Sequence, residues 1–279
     1  MTFGVLHREI TRELQAAGCE DAAFDARCLT EDFGGVPAGQ LPAWRDREIA
    51  PEREAAVRQA AARRCRREPL QYILGKWDFL TLTLEVGPGV LIPRPETEVL
   101  CRVAAEHLTA HGGRRVLDLC AGTGCVGLGI ASLCPDVQVT AVEKYEAALA
   151  FLRRNLARYP QWDVRAVQAD VLEPLPLAGP FDVIASNPPY IGRGELPGLQ
   201  PEVRREPASA LDGGEDGLVF YRALARYAWP LLAPGGLLAA EVGAGQAPAV
   251  RELFARQGAR TETEKDFSGI ERVVCAYRP

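Results

Sequence analysis

Apolar positions in the first seventy residues recur at helical spacing, with Val5, Ile10, Leu14, Phe24, Cys28 and Leu29 among them. Gly34, Gly35, Pro37 and Gly39 interrupt the run, and a second helix is expected from Pro51, where Glu52 and Glu54 suit a first turn. Past Glu68-Pro69 the texture turns β-like. Tyr72, Ile73 and Leu74 lead to Gly75, and the run from Phe79 to Val86 alternates apolar and polar residues before Gly87-Pro88-Gly89. A hairpin-like connector is therefore expected over residues 71–90. From Leu91 onward the segments 115–119, 137–142, 163–168, 181–186, 237–241, 261–265 and 273–277 are candidate strands, with helical stretches between most of them. That alternation predicts βαβ units in a mostly parallel, doubly wound sheet.

Composition adds limits rather than chemistry. The 279 residues carry a formal charge of −5, which suits poorly a protein that coats nucleic acid, since phosphate neutralisation needs clustered Lys and Arg. One local exception is the cluster Arg63, Arg64, Arg66 and Arg67. The eight cysteines form no Cys-x-x-Cys pair, and His7, His107 and His111 are the only histidines, so neither a metal site nor a disulfide framework is expected. No stretch approaches the 18 apolar residues of a membrane span, and acidic residues stand where a signal peptide would be apolar. A cytoplasmic protein without membrane attachment is expected.

Candidate chemistry begins where the first catalytic-domain strand ends. Asp118-Leu119-Cys120-Ala121-Gly122-Thr123-Gly124 leads through a glycine-rich turn into a helix, and Glu143 closes the next strand about 20 residues on. Such a turn lets an adenosine-bearing ligand approach the backbone, with the downstream acid on the ribose. A dinucleotide would want a bare helix N-terminus for its pyrophosphate; S-adenosylmethionine, with an ammonium and a sulfonium, would want a carboxylate. Asp118 tilts the choice toward S-adenosylmethionine, unless it merely caps the turn. Asp170, after the third strand, is either an acceptor for the adenine amino group, with Val171 packing the ring, or a helix N-cap.

Asn187-Pro188-Pro189-Tyr190 follows the strand at 181–186. Two prolines fix the backbone and leave carbonyls without neighbouring N–H groups. The Asn side-chain oxygen and a proline carbonyl can then accept both hydrogens of an –NH₂ group, while Tyr190 offers an aromatic face to the substrate or the sulfonium. Methylation of a planar amide or aromatic amine fits this arrangement: holding both hydrogens directs electron density to the methyl carbon, and in-line positioning supplies much of the rate.

These motifs carry a resemblance. With Glu68-Pro69-Leu70-Gln71-Tyr72-Ile73-Leu74-Gly75, Leu91-Ile92-Pro93-Arg94-Pro95-Glu96-Thr97-Glu98 and the stretch Glu206-Pro207 to Asp216-Gly217-Leu218, the chain resembles the release factor glutamine methyltransferases of the PrmC/HemK family over nearly its whole length. The resemblance implies a class I, Rossmann-like methyltransferase with a seven-stranded, mostly parallel sheet over 91–279, joined by a β-hairpin linker at 71–90 to a small all-α domain at 1–70 that docks the substrate. It implies transfer of a methyl group from S-adenosylmethionine, leaving S-adenosylhomocysteine, to N5 of the glutamine in the Gly-Gly-Gln motif of class-1 peptide chain release factors. Asn187 and the Pro188 carbonyl would hold the glutamine amide, and Pro189 and Tyr190 would shape its slot. Cys120, Ala121, Gly122, Thr123, Gly124, Glu143, Val171 and Asn187 would line the cofactor.

Several details remain open at this level. The family usually has glycine at the position of Cys120; because cysteine disfavours positive φ, an ordinary backbone conformation is expected there. Arg94–Glu96 is either a helix start, with Pro95 first and Glu96 in the first turn, or a substrate-positioning segment. The Arg63–Arg67 cluster is a candidate docking patch for the release factor, and a monomer is expected. A glutamine methyltransferase of a large-subunit ribosomal protein would share the same core. A nucleic-acid adenine or cytosine N-methyltransferase should show a recognition insertion or a basic face, and neither is evident. The intact tetrapeptide disfavours an inactive cofactor-binding module, and the carboxylate-led glycine loop beside it disfavours a dinucleotide oxidoreductase.

Overall fold

A computed structural model describes residues 1–279, which divide into two compact units. One comprises Met1–Lys76 together with Gln200–Arg205; the other comprises Trp77–Leu199 and Glu206–Pro279.

The first unit is helical. Helix α1 (Phe3–Ala16) starts where Thr2 accepts the Val5 amide, and it buries the Phe3, Leu6, Ile10 and Leu14 stripe that its spacing predicts. Helix α2 (Ala22–Gly34) stops at Gly35 in the left-handed conformation, and a single turn, α3 (Leu41–Trp44), follows. Pro51 opens α4 (Pro51–Cys65), with Glu52 and Glu54 in its first turn. One expectation fails here: the apolar run after Pro69 is not β but a short helix, α5 (Leu70–Leu74), ended by left-handed Gly75. A five-residue stretch with one polar position, Gln71, carries no periodicity that separates strand from helix, and the glycine cap decides it.

The predicted alternation from Phe79 to Val86 resolves into a hairpin of β1 (Lys76–Phe79) and β2 (Leu82–Glu85), turning at Leu80 with φ 52°. Phe79, Leu82 and Leu84 are core residues of the catalytic unit, so this hairpin belongs to that unit's packing rather than standing apart as a linker. Helix α6 (Thr97–His111) precedes the main sheet. Pro95 and Glu96 form a turn ahead of it, so the helix begins at Thr97 and not at Pro95.

Seven strands then form the sheet: β3 (Arg115–Leu119), β4 (Gln138–Glu143), β5 (Asp163–Gln168), β6 (Phe181–Ser186), β7 (Leu232–Glu241), β8 (Arg260–Lys265) and β9 (Glu271–Tyr277). Their order is β5-β4-β3-β6-β7-β9-β8, with β9 antiparallel to its two neighbours and the remaining pairs parallel. Helices α7 (Cys125–Leu133), α8 (Glu146–Arg158), α9 (Val219–Ala223) and α10 (Ala247–Ala255) complete the layers. One face packs Val116, Val139 and Val183 against α6 and α7; the other packs Leu117, Ile184 and Leu238 against Tyr221, Trp229 and Phe254. With both faces covered, the central strands are apolar almost throughout. Successive strands run outward in opposite directions from β3 and β6, so the crevice at their carboxyl ends is the place where such a sheet binds ligands.

Candidate active site

The loop after β3 is shaped by strain and by close packing. Cys120 has φ 63°, so the ordinary conformation expected for a non-glycine residue is not adopted. The chain must reverse between a buried strand and Ala121, whose amide is already committed to the Val142 carbonyl, and the thiol accepts a left-handed backbone at a cost of about 1–2 kcal/mol. Gly124 (φ 83°) has no room for a side chain: a Cβ there would lie 2.6 Å from Leu152 Cδ1. Asn155, fully buried on α8, steadies the loop by donating to the Thr123 carbonyl at 2.9 Å while accepting the Glu85 amide at 2.7 Å. Nothing in the sequence around Asn155 marks it for this role.

Acids surround the loop. Glu143, at the end of β4, accepts the Gly122 amide (2.9 Å) through Oε2 and the Tyr145 amide (2.9 Å) through Oε1. Asp170 accepts the Leu172 amide and pairs with Lys144 at 2.8 Å, forming a local turn rather than a helix cap, because no helix follows it. Asp118 is fully buried beneath the loop and accepts the Gly127 amide at 2.9 Å through Oδ2, while Oδ1 has no partner. Burial pushes its carboxyl up to about 7 against that single amide. Asp118 therefore takes the capping position and does not line the cavity in front of the loop.

That cavity encloses about 900 Å³, including open solvent at its mouth, and brings together most of the residues singled out above. Cys120, Ala121, Gly122 and Thr123 form its floor, and Glu143, Asp170 and Val171 one wall. Asn187 and Pro189 form another wall; Gly124 and Pro188 are not on it. Tyr190 is also not on it. Its ring packs with the core on the β7 side, its carbonyl accepts from Gln246 Nε2 at 2.9 Å, and burial raises its hydroxyl to about 12. Gly243 makes room for that ring, since a Cβ there would meet Tyr190 Cδ2 at 3.1 Å.

Other walls come from segments whose position the sequence does not reveal. Arg94, Thr97, Pro207 and Phe220 reach the cavity. Glu206, buried, ties two of these segments together by accepting the Ile92 amide at 2.9 Å and pairing with Arg94. Burial raises the Glu206 carboxyl, and Arg94 and the Ile92 amide oppose this. At the head of the crevice, the Ser186 hydroxyl donates to the Leu119 carbonyl at 2.8 Å and knits the ends of β6 and β3.

The arginine cluster fares differently from its expected role as a free basic patch. Arg63 pairs with Glu68, Arg64 with Asp25 and Glu202, and Arg67 with Glu202, all within the helical unit. Only Arg66 of the four is exposed. Glu202 reaches Arg64 and Arg67 from a segment more than 130 residues away in sequence, which no local pattern signals.

An order β5-β4-β3-β6-β7-β9-β8, a glycine turn after β3 and an Asn-Pro-Pro-Tyr segment after β6 define a class I, Rossmann-like methyltransferase. Residues 96–223 match the model of the methyltransferase small domain and residues 6–75 that of the PrmC N-terminal domain. The chain belongs to the family of release factor glutamine methyltransferases. The Geobacter sulfurreducens release factor glutamine methyltransferase is 42% identical over 263 residues, covering 94% of this chain and 91% of the relative. That of Moorella thermoacetica is 37% identical over 281 residues, covering 100% and 99%. Among solved structures, the hMettl16 catalytic domain in complex with MAT2A 3′UTR hairpin 6 superposes with a TM-score of 0.59 at 17% identity, covering 78% of this chain and 81% of that one, a likeness of fold alone.

Proposed function

We propose that the protein transfers the methyl group of S-adenosylmethionine to N5 of the glutamine in the Gly-Gly-Gln motif of class-1 peptide chain release factors. The observation that carries this reading is the placement of Asn187, from a tetrapeptide suited to holding an –NH₂ group, across one cavity from the glycine loop and Glu143. The cavity suits that cofactor. Glu143 and Asp170 offer carboxylates beside an apolar slot made by Val142, Val171 and Leu172, and the buried Asp118 carboxyl lies below the loop. When bound, S-adenosylmethionine supplies an electrophilic methyl on a sulfonium.

The chain's own residues then hold and orient the acceptor. Asn187 Oδ1 and the Pro188 carbonyl accept the two amide hydrogens, Pro189 walls the slot, and Glu143 engages the ribose. Cys120, Ala121, Gly122 and Thr123 supply the backbone floor, Gly124 turns the chain behind them into α7, Asp170 and Val171 flank the base, and Asp118 supports the loop from below. Tyr190 acts on the slot indirectly, by holding the tetrapeptide against Gln246. Positioning in line and loss of one amide proton to solvent complete the transfer. The helical unit presents the release factor, the enzyme works as a monomer in the cytoplasm, and no helix is long and apolar enough to cross a membrane. Incubation of the purified protein with S-adenosylmethionine and an unmodified release factor should add one methyl group to that glutamine, read by mass spectrometry of the peptide. Methylation of a ribosomal protein or of DNA instead would overturn the substrate assignment.

A further inference from the structure

Behind Asn187 lies a buried polar chain that the reaction as described does not use. Asn187 Nδ2 donates to Thr97 Oγ1 at 3.1 Å, and the Thr97 hydroxyl lies within reach of the Glu241 carboxyl, whose rise on burial it opposes. Thr97 lines the cavity and is fully buried; Glu241 is 2% exposed and lies outside the cavity wall. Register explains the proximity: Ser186 on β6 pairs with Ala240 on β7, and the next residues along these parallel strands are Asn187 and Glu241. Leaving a carboxyl with an unpartnered oxygen, Oε2, at such a place is costly unless it serves something.

We propose that Thr97 and Glu241 are positioning residues which fix the Asn187 amide, with Nδ2 turned into the protein and Oδ1 turned toward the methyl acceptor. The inference rests on the reading of Asn187 as the clamp for the substrate amide. In its ionised form, reached once the pH passes about 7, the Glu241 carboxylate only accepts hydrogen bonds and so claims the single Thr97 proton. Thr97 Oγ1 is then left as an acceptor, and only the NH₂ end of Asn187 satisfies it. Without that direction the amide turns freely and half of its orientations set a donor against the donor NH₂ of the substrate. The sequence motif names Asn187 but cannot name the group that tells it which way to face.

The test compares Thr97→Val, Thr97→Ser and Glu241→Gln in the full-length protein. Thr97→Val keeps shape and removes the hydroxyl, and should lower kcat about tenfold while S-adenosylhomocysteine affinity stays within about twofold. Thr97→Ser restores the hydroxyl and should recover most of the rate. Glu241→Gln, which no longer dictates the direction of the chain, should lower kcat several-fold at similar KM, and carries the test if the valine variant does not fold. The second readout needs no turnover: the Asn187 side-chain NH₂ resonances in ¹⁵N spectra should be protected from exchange in the wild type and lose that protection in Thr97→Val. Wild-type kcat in Thr97→Val, a serine variant as slow as the valine variant, or equal losses of cofactor affinity and kcat would overturn the inference. If the wild type fails to methylate release factor, the functional reading fails instead, and the NH₂ protection alone decides the orientation: unprotected resonances in the wild type overturn it.

Discussion

Glu202 in the helical unit and Asp118 and Glu241 in the catalytic unit meet burial in opposite ways. In the helical unit Asp25 and Glu202 are clasped by Arg64 and Arg67 at 2.6–2.7 Å. Burial works to raise Glu202, but hydrogen bonds from Arg67 and Arg64 overcome it and hold the carboxyl down at about 2. In the catalytic unit Asp118 and Glu241 meet only neutral donors within hydrogen-bonding distance, a backbone amide for one and a threonine hydroxyl for the other, and burial pushes both up to about 7. Each also keeps a buried oxygen without a partner. Arginines hold Glu202 well below the usual carboxylate range, whereas Asp25 is still raised by burial despite its hydrogen bond from Arg64. In the catalytic unit Glu206 and Asp266 have arginine partners, but Asp118 and Glu241 have none within hydrogen-bonding distance, and these two lie behind the loop and the tetrapeptide between which a cationic cofactor is proposed to sit.

The comparison is broken most severely by removing the arginine. Arg64→Met leaves Asp25 buried without its cation, and denaturant unfolding should show a loss of about 3–5 kcal/mol; a loss near zero would mean that the cluster is solvated rather than clasped. On the catalytic side, Asn187→Ala removes a group reserved for the acceptor. It should lower turnover by about 10²–10³-fold with little change in cofactor binding by calorimetry. Equal losses of both would assign Asn187 chiefly to the cofactor.

Asp118→Asn sharpens the contrast, because its effect on the cofactor-free protein has the opposite sign to that of Arg64→Met. An acid raised from 3.8 to about 7 on folding costs nothing below pH 3.8 and imposes a penalty that grows until the pH passes about 7. The asparagine variant should therefore be more stable than wild type at pH 8, by up to about 4 kcal/mol, and alike at pH 4. It should also bind the cationic cofactor several-fold more weakly. The smallest effect belongs to Cys120→Gly, which relieves a left-handed cysteine worth about 1 kcal/mol and should raise the melting temperature by roughly 2 °C. A lower melting temperature would show that thiol packing outweighs the strain.

Much of the sheet is legible from the chain because its strands are short, apolar and separated by helices; β5 and β6 begin and end where alternation and flanking turn residues place them. The glycine turn and the tetrapeptide are legible for the same reason, as local patterns attached to strand ends. What the sequence hides is non-local. Glu202 meeting Arg64, Asn155 bracing Thr123, and Thr97 standing behind Asn187 each join residues 32–138 positions apart. Conformation at single residues is hidden too: composition favours an ordinary backbone at Cys120, and only the surrounding hydrogen bonds force φ to 63°. Tyr190 shows the remaining gap, since an aromatic residue in a catalytic motif serves the core as readily as it serves a ligand.

The membership of Gln200–Arg205 in the helical unit also bears on how the chain comes off the ribosome. Synthesis runs from the N-terminus, so α1 to α5 are made long before Glu202 exists. Through that interval Arg64 and Arg67 lack their shared acid, and Arg64 has only Asp25 as an acidic partner. A nascent chain stalled before residue 200 should carry an incomplete helical unit, more open to proteases than the finished one, and that unit closes only when nearly three quarters of the polypeptide has been made.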